Sequence, residues 1–490
     1  MQILKTLLAL GILLLSHQAG AQINFFKIYT NNGYDFGEGI TQLRDSSYLV
    51  TGSSSSFGYG PSQAFIMKTD SLGNHQWAKS YGGTESDIGR RIFAVEGDGI
   101  YVTGYTNSYG NGSFDYSFFK TDMDGNLLFQ KTYGGTKFER LHGAVMMPDT
   151  TFILVGETMS NETEVEDIFM LRVKANGDTI WTKQFGSAGK DIARNVNIIN
   201  DTTFVVVGDY MTDSLIQKAF VMKMHIDGTL LWMRFPGAKG TYSLNDVTFN
   251  NGIIRAVGYN KFMNANNEEE CHWYSHLSQE NGDLVFDIME PNVFYSRLDY
   301  VTSYGSDNKF YVAEQALQTT TPVYGGGEDC LIQRFTTYMF WDNSFVNTSN
   351  IGQDQATQMI PTSDGGAIVV GYNTHFGSGG KNIMLIKIGP NDDYPASYTA
   401  PIESTLVYTE ELSADFQLSV YPNPIENVLH LSSEVSGNKK VVLLDAFGKM
   451  LTETQFDLTA ELDFNAYSTG IYFVKIVVDG KERIVKVVKK

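Results

Sequence analysis

The feature that most constrains this chain is a segment that keeps returning. Trp77-Ala-Lys-Ser-Tyr-Gly-Gly83 recurs as Phe129-Gln-Lys-Thr-Tyr-Gly-Gly135. It returns in weaker form as Trp181-Thr-Lys-Gln-Phe-Gly186 and Trp232-Met-Arg-Phe-Pro-Gly237, and its aromatic residue continues at Phe286 and Trp341. Successive markers stand 52, 52, 51, 54 and 55 residues apart. A glycine follows an apolar run at Gly52, Gly104, Gly156, Gly208, Gly258 and Gly371, with Glu314 in the sixth place. A basic residue precedes a turn glycine at Lys68 and Gly73, Lys120 and Gly125, Arg172 and Gly177, and Lys223 and Gly228. A period of this length marks a supersecondary unit that buries its apolar faces only by stacking on its neighbours.

Each of the seven units reads as four short strands. In the second they are Arg90–Glu96, Ile100–Tyr105, Tyr116–Thr121 and Leu127–Tyr133. Gly97-Asp98-Gly99 and Asp124-Gly125-Asn126 between them accept the positive φ of a tight hairpin. Phe118 and Lys120, like Phe129 and Lys131, keep the period of two that strands require, and no part of the repeat region keeps a period of 3.6. The fold class is therefore all-β, and residues 22–394 are expected to form a seven-bladed β-propeller. The seventh unit has Ala367–Tyr372 and Ile383–Ile388 and then breaks at Gly389-Pro390-Asn391-Asp392-Asp393, one strand short. Phe25-Phe-Lys27-Ile-Tyr29 matches Trp77-Ala-Lys79-Ser-Tyr81, so residues 24–29 are expected to pair with 383–388 and close the ring, leaving no exposed sheet edge.

Charge and composition narrow the function. The net charge of −19 argues against nucleic acid, because phosphate binding needs a basic stripe. Residues 417–490 hold 9 basic and 9 acidic groups, so the whole excess lies in residues 1–416. Residues 1–21 read as a signal peptide: Lys5, an apolar run from Leu7 to Leu15 too short to span a bilayer, and Ala19-Gly20-Ala21 as a small-x-small cleavage pattern. No other run is long enough for a transmembrane anchor. Cys271 and Cys330 are the only cysteines. An oxidising compartment allows a bridge between them. Both open the same strand in neighbouring units, however, where separations should exceed the disulfide limit of about 7 Å between Cα atoms. Residues 395–416, following the break, read as a linker.

Residues 417–490 alternate again without the repeat. Candidate strands are Gln417–Tyr421, Val428–Ser432, Lys440–Asp445, Gly470–Val478 and Ile484–Lys489, with Asp479-Gly480 as a two-residue hairpin turn. This is the pattern of a small β-sandwich. Four ordered motifs stand out. They are Val420-Tyr421-Pro422-Asn423-Pro424, then Leu443 to Lys449 with Asp445, Gly448 and Lys449, then Tyr467 to Lys475 with Gly470, Tyr472 and Lys475, then a basic end with Lys486, Lys489 and Lys490. In these motifs the segment resembles the type A C-terminal sorting domain of type IX secretion. The resemblance implies a Bacteroidota source and passage of the outer membrane through a dedicated translocon. It also implies a sorting protease that removes the domain, and a cell-surface or released product.

One constellation repeats. Asp35, Asp87, Glu139, Asp191 and Asp354 each stand 17 residues before the glycine marker, with Thr241 and Arg297 at that offset in units five and six. Five acids around one mouth could attract a cation, calcium being the candidate, or a basic ligand. An acid in a Gly-rich turn also hydrogen-bonds nearby backbone N–H groups, and that structural role is the preferred reading. No cofactor and no metal centre are expected otherwise. Asp122-Met-Asp-Gly-Asn126 lacks the rest of a calcium loop. His272 and His276 would lie ~13 Å apart on a strand, too far for one ion. Gly377-Ser-Gly-Gly-Lys381 lacks phosphate-loop spacing. The recurrent Trp77, Trp181, Trp232 and Trp341 fit packing between blades better than sugar stacking.

These features point to a propeller that binds a glycan or protein, or serves adhesion, without catalysis. Two alternatives stay open: a polysaccharide hydrolase or lyase, and a scaffold with no ligand. A hydrolase or lyase would use the apparent insertions Asn264–His272 and Gln315–Glu328, with Glu268, Glu269, Glu270 and Glu328 as carboxylates.

Overall fold

The structure, a computed structural model, describes residues 24–490 apart from a set of segments. The longer of these are 213–215, 238–240, 291–294, 305–308, 318–327, 336–340, 348–352, 375–379, 391–401 and 411–417, and the side chains of blade 6 are described only in part. Residues 1–21, the expected signal peptide, lie outside it.

Among the described residues, the repeat region forms seven four-stranded antiparallel units. We number them as blades in chain order and count strands outward from the first. Blade 2 consists of Asp87–Val95, Gly99–Thr106, Asp115–Thr121 and Leu127–Tyr133. The first strands of the others are Asp35–Gln42, Glu139–Met146, Ile192–Asn200, Thr241–Asn250, Tyr295–Tyr304 and Asp354–Pro361. Each first strand packs against the blade before it, and blade 7 meets blade 1 in the same way. This is a β-propeller. Blade 7 takes its fourth strand from the other end of the repeat region: Phe25–Thr30 pairs antiparallel with Asn382–Ile388, with Phe25 opposite Lys387 and Tyr29 opposite Ile383. The second and third strands of the blades are buried on both faces along almost their whole length, so apolar clusters fill the space between neighbouring blades. One unites Tyr48, Val50, Phe65 and Met67 of blade 1 with Ile368, Val370, Ile383 and Leu385 of blade 7.

The outer-strand marker is a clasp. Tyr81 donates to the carbonyl of Gly125 at 2.6 Å, and Lys79 donates to Asn126 Oδ1 at 2.8 Å. Both acceptors lie in the turn before the fourth strand of the next blade. Tyr133 and Lys131 do the same to Gly177 and Asp178. Tyr29 and Lys27 do the same to Gly73 and Asn74, so the closing strand uses the repeat's own joint. The tryptophans complete it. The turn glycines Gly125, Gly228 and Gly282 sit at positive φ, and a side chain there would collide with Trp77, Trp181 and Trp232. Trp181 also donates Nε1–H to the carbonyl of Ile226 at 2.9 Å.

The glycine marker has a different cause. Every first strand carries a β-bulge opposite it. The bend brings a carbonyl so close that a Cβ on Gly104 would stand 1.8 Å from the oxygen of Ile88. At that distance only glycine fits at position 104, whereas blade 6 carries its bulge opposite Glu314.

One sequence expectation changes. The segment Asn264–His272 is no loop insertion: the second and third strands of blade 5, Ile253–Asn264 and Asn267–Ser278, run on as one long hairpin. Its residues continue the strand pattern, with Asn264 facing Asn267 across the turn. Residues 318–327, most of the second apparent insertion, lie outside the described residues. The linker is not featureless. Ile402–Thr405 adds a parallel strand beside Lys27–Thr30, and Tyr408–Glu410 adds one beside Ala78–Ser80. Outer strands expose unpaired N–H and C=O groups, which an extended segment satisfies.

The C-terminal segment is two packed sheets. One contains Leu418–Tyr421, Val428–Ser433 and Thr459–Asp463; the other contains Met450–Phe456, Lys439–Leu444, Gly470–Val478 and Lys481–Lys489. Their shared core includes Leu429, Leu431, Val441, Leu443, Phe464, Val474 and Ile476. Met450–Phe456 and Thr459–Asp463 escape sequence reading because their faces are largely exposed and polar.

Candidate functional site

The five repeated acids are placed one per blade at the start of the first strands, and each is spent locally. Asp35 accepts from Ser54 at 2.5 Å and Ser56 at 2.9 Å. Asp87 accepts from Thr106, from Ser108 at 2.6 Å and from the Gly83 N–H at 2.8 Å. Glu139 repeats the arrangement with Thr158 at 2.6 Å and the Gly135 N–H at 2.7 Å. Asp191 takes the N–H groups of Ser187 and Met211, and Asp354 takes the amide of Asn373. Each acid thus ties its strand to the one beside it and, in blades 2 to 4, to the incoming turn. Burial pushes the carboxyl of Asp87 up to about 6 and raises Asp35 and Asp191 in the same direction. Among the described residues, no three His, Cys, Asp or Glu side chains lie together as a metal site.

At the junction of blades 2 and 3 the acid meets a second one. Asp115 is buried, with one oxygen accepting from the Asn111 N–H at 2.9 Å and its carboxyl set against that of Glu139. Burial, with the neighbouring charge of Glu139, pushes its carboxyl up to about 6.

The bulges make a second ring, which sequence reading missed. The extra residue in each first strand is Glu38, Arg90, His142, Arg194, Asn245, Asp299 or Thr357. A bulge re-aims its side chain out of the pleat. Six of these residues line an open cavity of about 330 Å³ in the central channel, together with Phe36, Arg91, Gln355 and Tyr372. The side chain of Asp299 lies outside the described residues. In five blades the signal was present in the repeat, three residues beyond the acid marker.

The ring is charged and ordered. Glu38 pairs with Arg90 at 2.5 Å across the boundary of blades 1 and 2. Asp209 receives both Nε–H and Nη2–H of Arg194. His142 lies 3.2 Å from Glu157. A carboxylate accepts, so Nε2 carries the hydrogen and Nδ1 is the ring's acceptor. Burial drives His142 down to about 4 against the pull of Glu157, with Arg90 and Arg194 adding to the fall, so the ring is neutral at neutral pH. Burial opposes ionisation of Glu157 most strongly, but the hydrogen bond from His142 together with the nearby charges of Lys190 and Arg140 holds the carboxyl below its ordinary range. On the blade 7 side, Lys381 stands 3.9 Å over the ring of Tyr372 and 4.7 Å over that of Phe36.

Other candidates are dispersed. His272 and His276 are both buried, and His276 packs on Phe286 and Phe310. Burial pushes His276 down to about 4. Cys330 is buried among Tyr311, Ala313, Ala356 and Met359, facing blade 7, whereas Cys271 belongs to blade 5 and its side chain lies outside the described residues. Glu268, Glu269 and Glu270 stand on the blade 5 hairpin and Glu328 opens the third strand of blade 6; their side chains lie outside the described residues. Of the sorting motifs, Pro422, Asn423, Pro424 and Gly448 lie outside as well. Asp445 accepts from the Lys449 N–H at 2.9 Å, closing a turn, and Tyr472 donates to the Ser468 carbonyl at 2.7 Å. Gly470, Lys475, Lys486 and Lys489 lie on the last two strands, which pair with each other, and the Lys490 N–H reaches back to Ile425.

The fold, with its charged channel and appended sandwich, defines an all-β propeller protein carrying an accessory C-terminal module. That module has a family: residues 419–490 match the secretion system C-terminal sorting domain, the sorting domain of type IX secretion. The protein is therefore addressed to the cell surface or the medium through the type IX machinery. No helix among the described residues is long and apolar enough to cross a membrane. No curated protein matches the chain. Similar solved structures include the polysaccharide lyase Uly1, with 11% identity over 76% of this chain and 94% of that one and a TM-score of 0.44. The Sqt1 protein of Chaetomium thermophilum has 9% identity over 84% and 95%, with a TM-score of 0.44. The β-propeller domain of the Trilobed protease from Pyrococcus furiosus, described as having an open velcro topology, has 9% identity over 77% and 99%, with a TM-score of 0.43. Identities this low say nothing of ligand or reaction.

Proposed function

We propose that this is a non-enzymatic binding or adhesion protein of a Bacteroidota cell surface or its surroundings, with its ligand seated in the mouth of the central channel. The observation that carries the reading is the ring of bulge residues. Where the repeat builds joints it keeps the same lysine and tyrosine in blades 7, 1 and 2, as Lys27 and Tyr29, Lys79 and Tyr81, and Lys131 and Tyr133. At the bulge it presents Glu, Arg, His, Arg, Asn, Asp and Thr in turn. A rigid scaffold that varies at one inward-facing position has the form of a recognition surface. Residues 1–21 would carry the chain across the inner membrane and residues 419–490 across the outer one. Processing would leave a product that begins near Gln22 and ends before about Gln417.

Two measurements test this. In a Bacteroidota host, fractionation of the full chain and of one lacking residues 417–490 should place the first outside the cell and the second, folded, in the periplasm. A truncated form that still reaches the surface contradicts the sorting role. The purified protein should bind at least one member of a glycan and matrix-protein array while releasing no product in a broad hydrolase and lyase panel. Turnover of any polymer in that panel would replace binding with catalysis.

A further inference from the structure

We propose that the channel mouth recognises an acidic saccharide through its carboxylate, with Arg90 and Arg194 as the clamp; this rests on the channel being a ligand site. The lining presents three guanidiniums, Arg90, Arg91 and Arg194, and one carboxylate, Glu38, while the balancing carboxylates Asp209 and Glu157 stand behind Arg194 and His142. Low-dielectric walls strengthen the pull of such channel-lining cations on an incoming anion.

The two guanidiniums of the clamp are also preorganised. A guanidinium offers five N–H donors in a fixed plane, matched to the two oxygens of a carboxylate. Asp209 holds Arg194 by Nε and Nη2, which fixes the plane and leaves the Nη1 hydrogens for a second partner. Glu38 fixes Arg90 from the other blade through Nη1. Between them His142 is neutral and offers Nδ1 as an acceptor, so the clamp is flanked by a group that can receive a hydroxyl hydrogen.

The opposite arc is neutral: Asn245, Gln355 and Tyr372 line it beside Thr357, whose hydroxyl donates to the Gly37 carbonyl at 2.5 Å. Amides and hydroxyls both donate and accept, as sugar hydroxyls do. A cavity of about 330 Å³ lies near the lower end of small-molecule sites, which begin at about 300 Å³. It would hold one end of a glycan chain. A purely ionic ligand would gain nothing from the neutral arc.

The test uses the full chain and trigalacturonate as probe, with maltotriose as the neutral trisaccharide, hexaglutamate as an acidic peptide and inorganic sulfate as a bare anion. Each cation is replaced together with its own partner, as R90Q/E38Q and R194Q/D209N, because removing a cation alone strands a buried carboxylate. The proposal expects trigalacturonate to bind at least tenfold more tightly than any of the other three. Each paired replacement should weaken it at least tenfold with a far-ultraviolet spectrum like the parent's. Affinity for trigalacturonate that survives both replacements places the saccharide elsewhere and overturns the assignment. Equal affinity for maltotriose removes the carboxylate from the recognition and leaves the channel as a site. Stronger binding of hexaglutamate or sulfate removes the saccharide. No binding of any of the four, with another ligand captured on the array, sinks this inference but not the binding reading.

Discussion

The rim of the propeller and its channel are built from the same repeat and obey opposite rules. At the rim, an aromatic, a lysine and a tyrosine recur on the fourth strand and grip the next blade's turn by the same bonds in blades 7, 1 and 2. In the channel, the bulge recurs in every blade and its residue changes every time. Constancy follows from geometry, since each joint meets the same partner atoms. Variation is allowed where a side chain meets open space, and it is informative where those side chains are charged and held in place. In a repeat protein, then, the conspicuous motif describes the scaffold. The inconspicuous position inside it describes the use.

The comparison breaks most violently at the closing strand. Deleting residues 22–30 removes the buried Phe25, Ile28 and Tyr29 and exposes the edge of blade 7. The melting temperature should fall by on the order of 10 °C or more, read by calorimetry. An unchanged transition would mean that the ring does not depend on that strand. A rim joint is the next largest effect. Trp181→Ala, which empties a half-buried site packed on the Gly228 turn, should cost about 2–3 kcal/mol, measured by urea unfolding.

A smaller effect separates two acids that look alike. Asp115 faces Glu139 with its carboxyl pushed up to about 6, so the native state holds that proton more tightly than the unfolded chain, whose Asp titrates near 3.9. Its contribution to stability therefore grows as pH falls from about 6 towards 4 and is lost above 6. Asp87 acts in the same direction. The buried neutral His142 and His276 act in the opposite one, losing stability as pH falls. Only a comparison with a variant isolates the pair. Asp115→Asn keeps an acceptor for the Asn111 N–H and gives Glu139 a donor. It should be more stable than the parent by about 1–2 kcal/mol at pH 8 and equal to it at pH 5. A variant that is less stable at both would show that the two carboxyls do not share a proton.

How much of this was legible follows from the same contrast. The strands of blade 2 were readable because apolar and β-branched runs there are bounded by the glycine turns Gly97-Asp98-Gly99 and Asp124-Gly125-Asn126, and Leu127–Tyr133 agrees with the reading at both ends. The closing strand was readable because its residues copy a joint. The acids were readable as a repeat, because they recur at a fixed offset from the glycine marker. The channel ring was not, because a bulge inserts its extra residue into one strand without altering the period. Glu38, Arg90, His142 and Arg194 then look like unrelated polar residues. The pairing of Tyr408–Glu410 with Ala78–Ser80 was illegible for another reason: a parallel added strand leaves no mark on a segment without alternation.

The claim that rim residues hold the ring while channel residues hold the ligand is tested most directly by measuring stability and binding together on two variants. For Trp181→Ala and for R194Q/D209N, the melting temperature and the trigalacturonate affinity would be determined in the same buffer, well below either transition. The account predicts that the rim variant melts several degrees early and binds like the parent. It predicts that the channel variant melts within about 3 °C of the parent and has lost at least nine-tenths of its affinity. If the rim variant loses binding as fully as the channel variant, or the channel variant binds unchanged, the division between scaffold and site is contradicted.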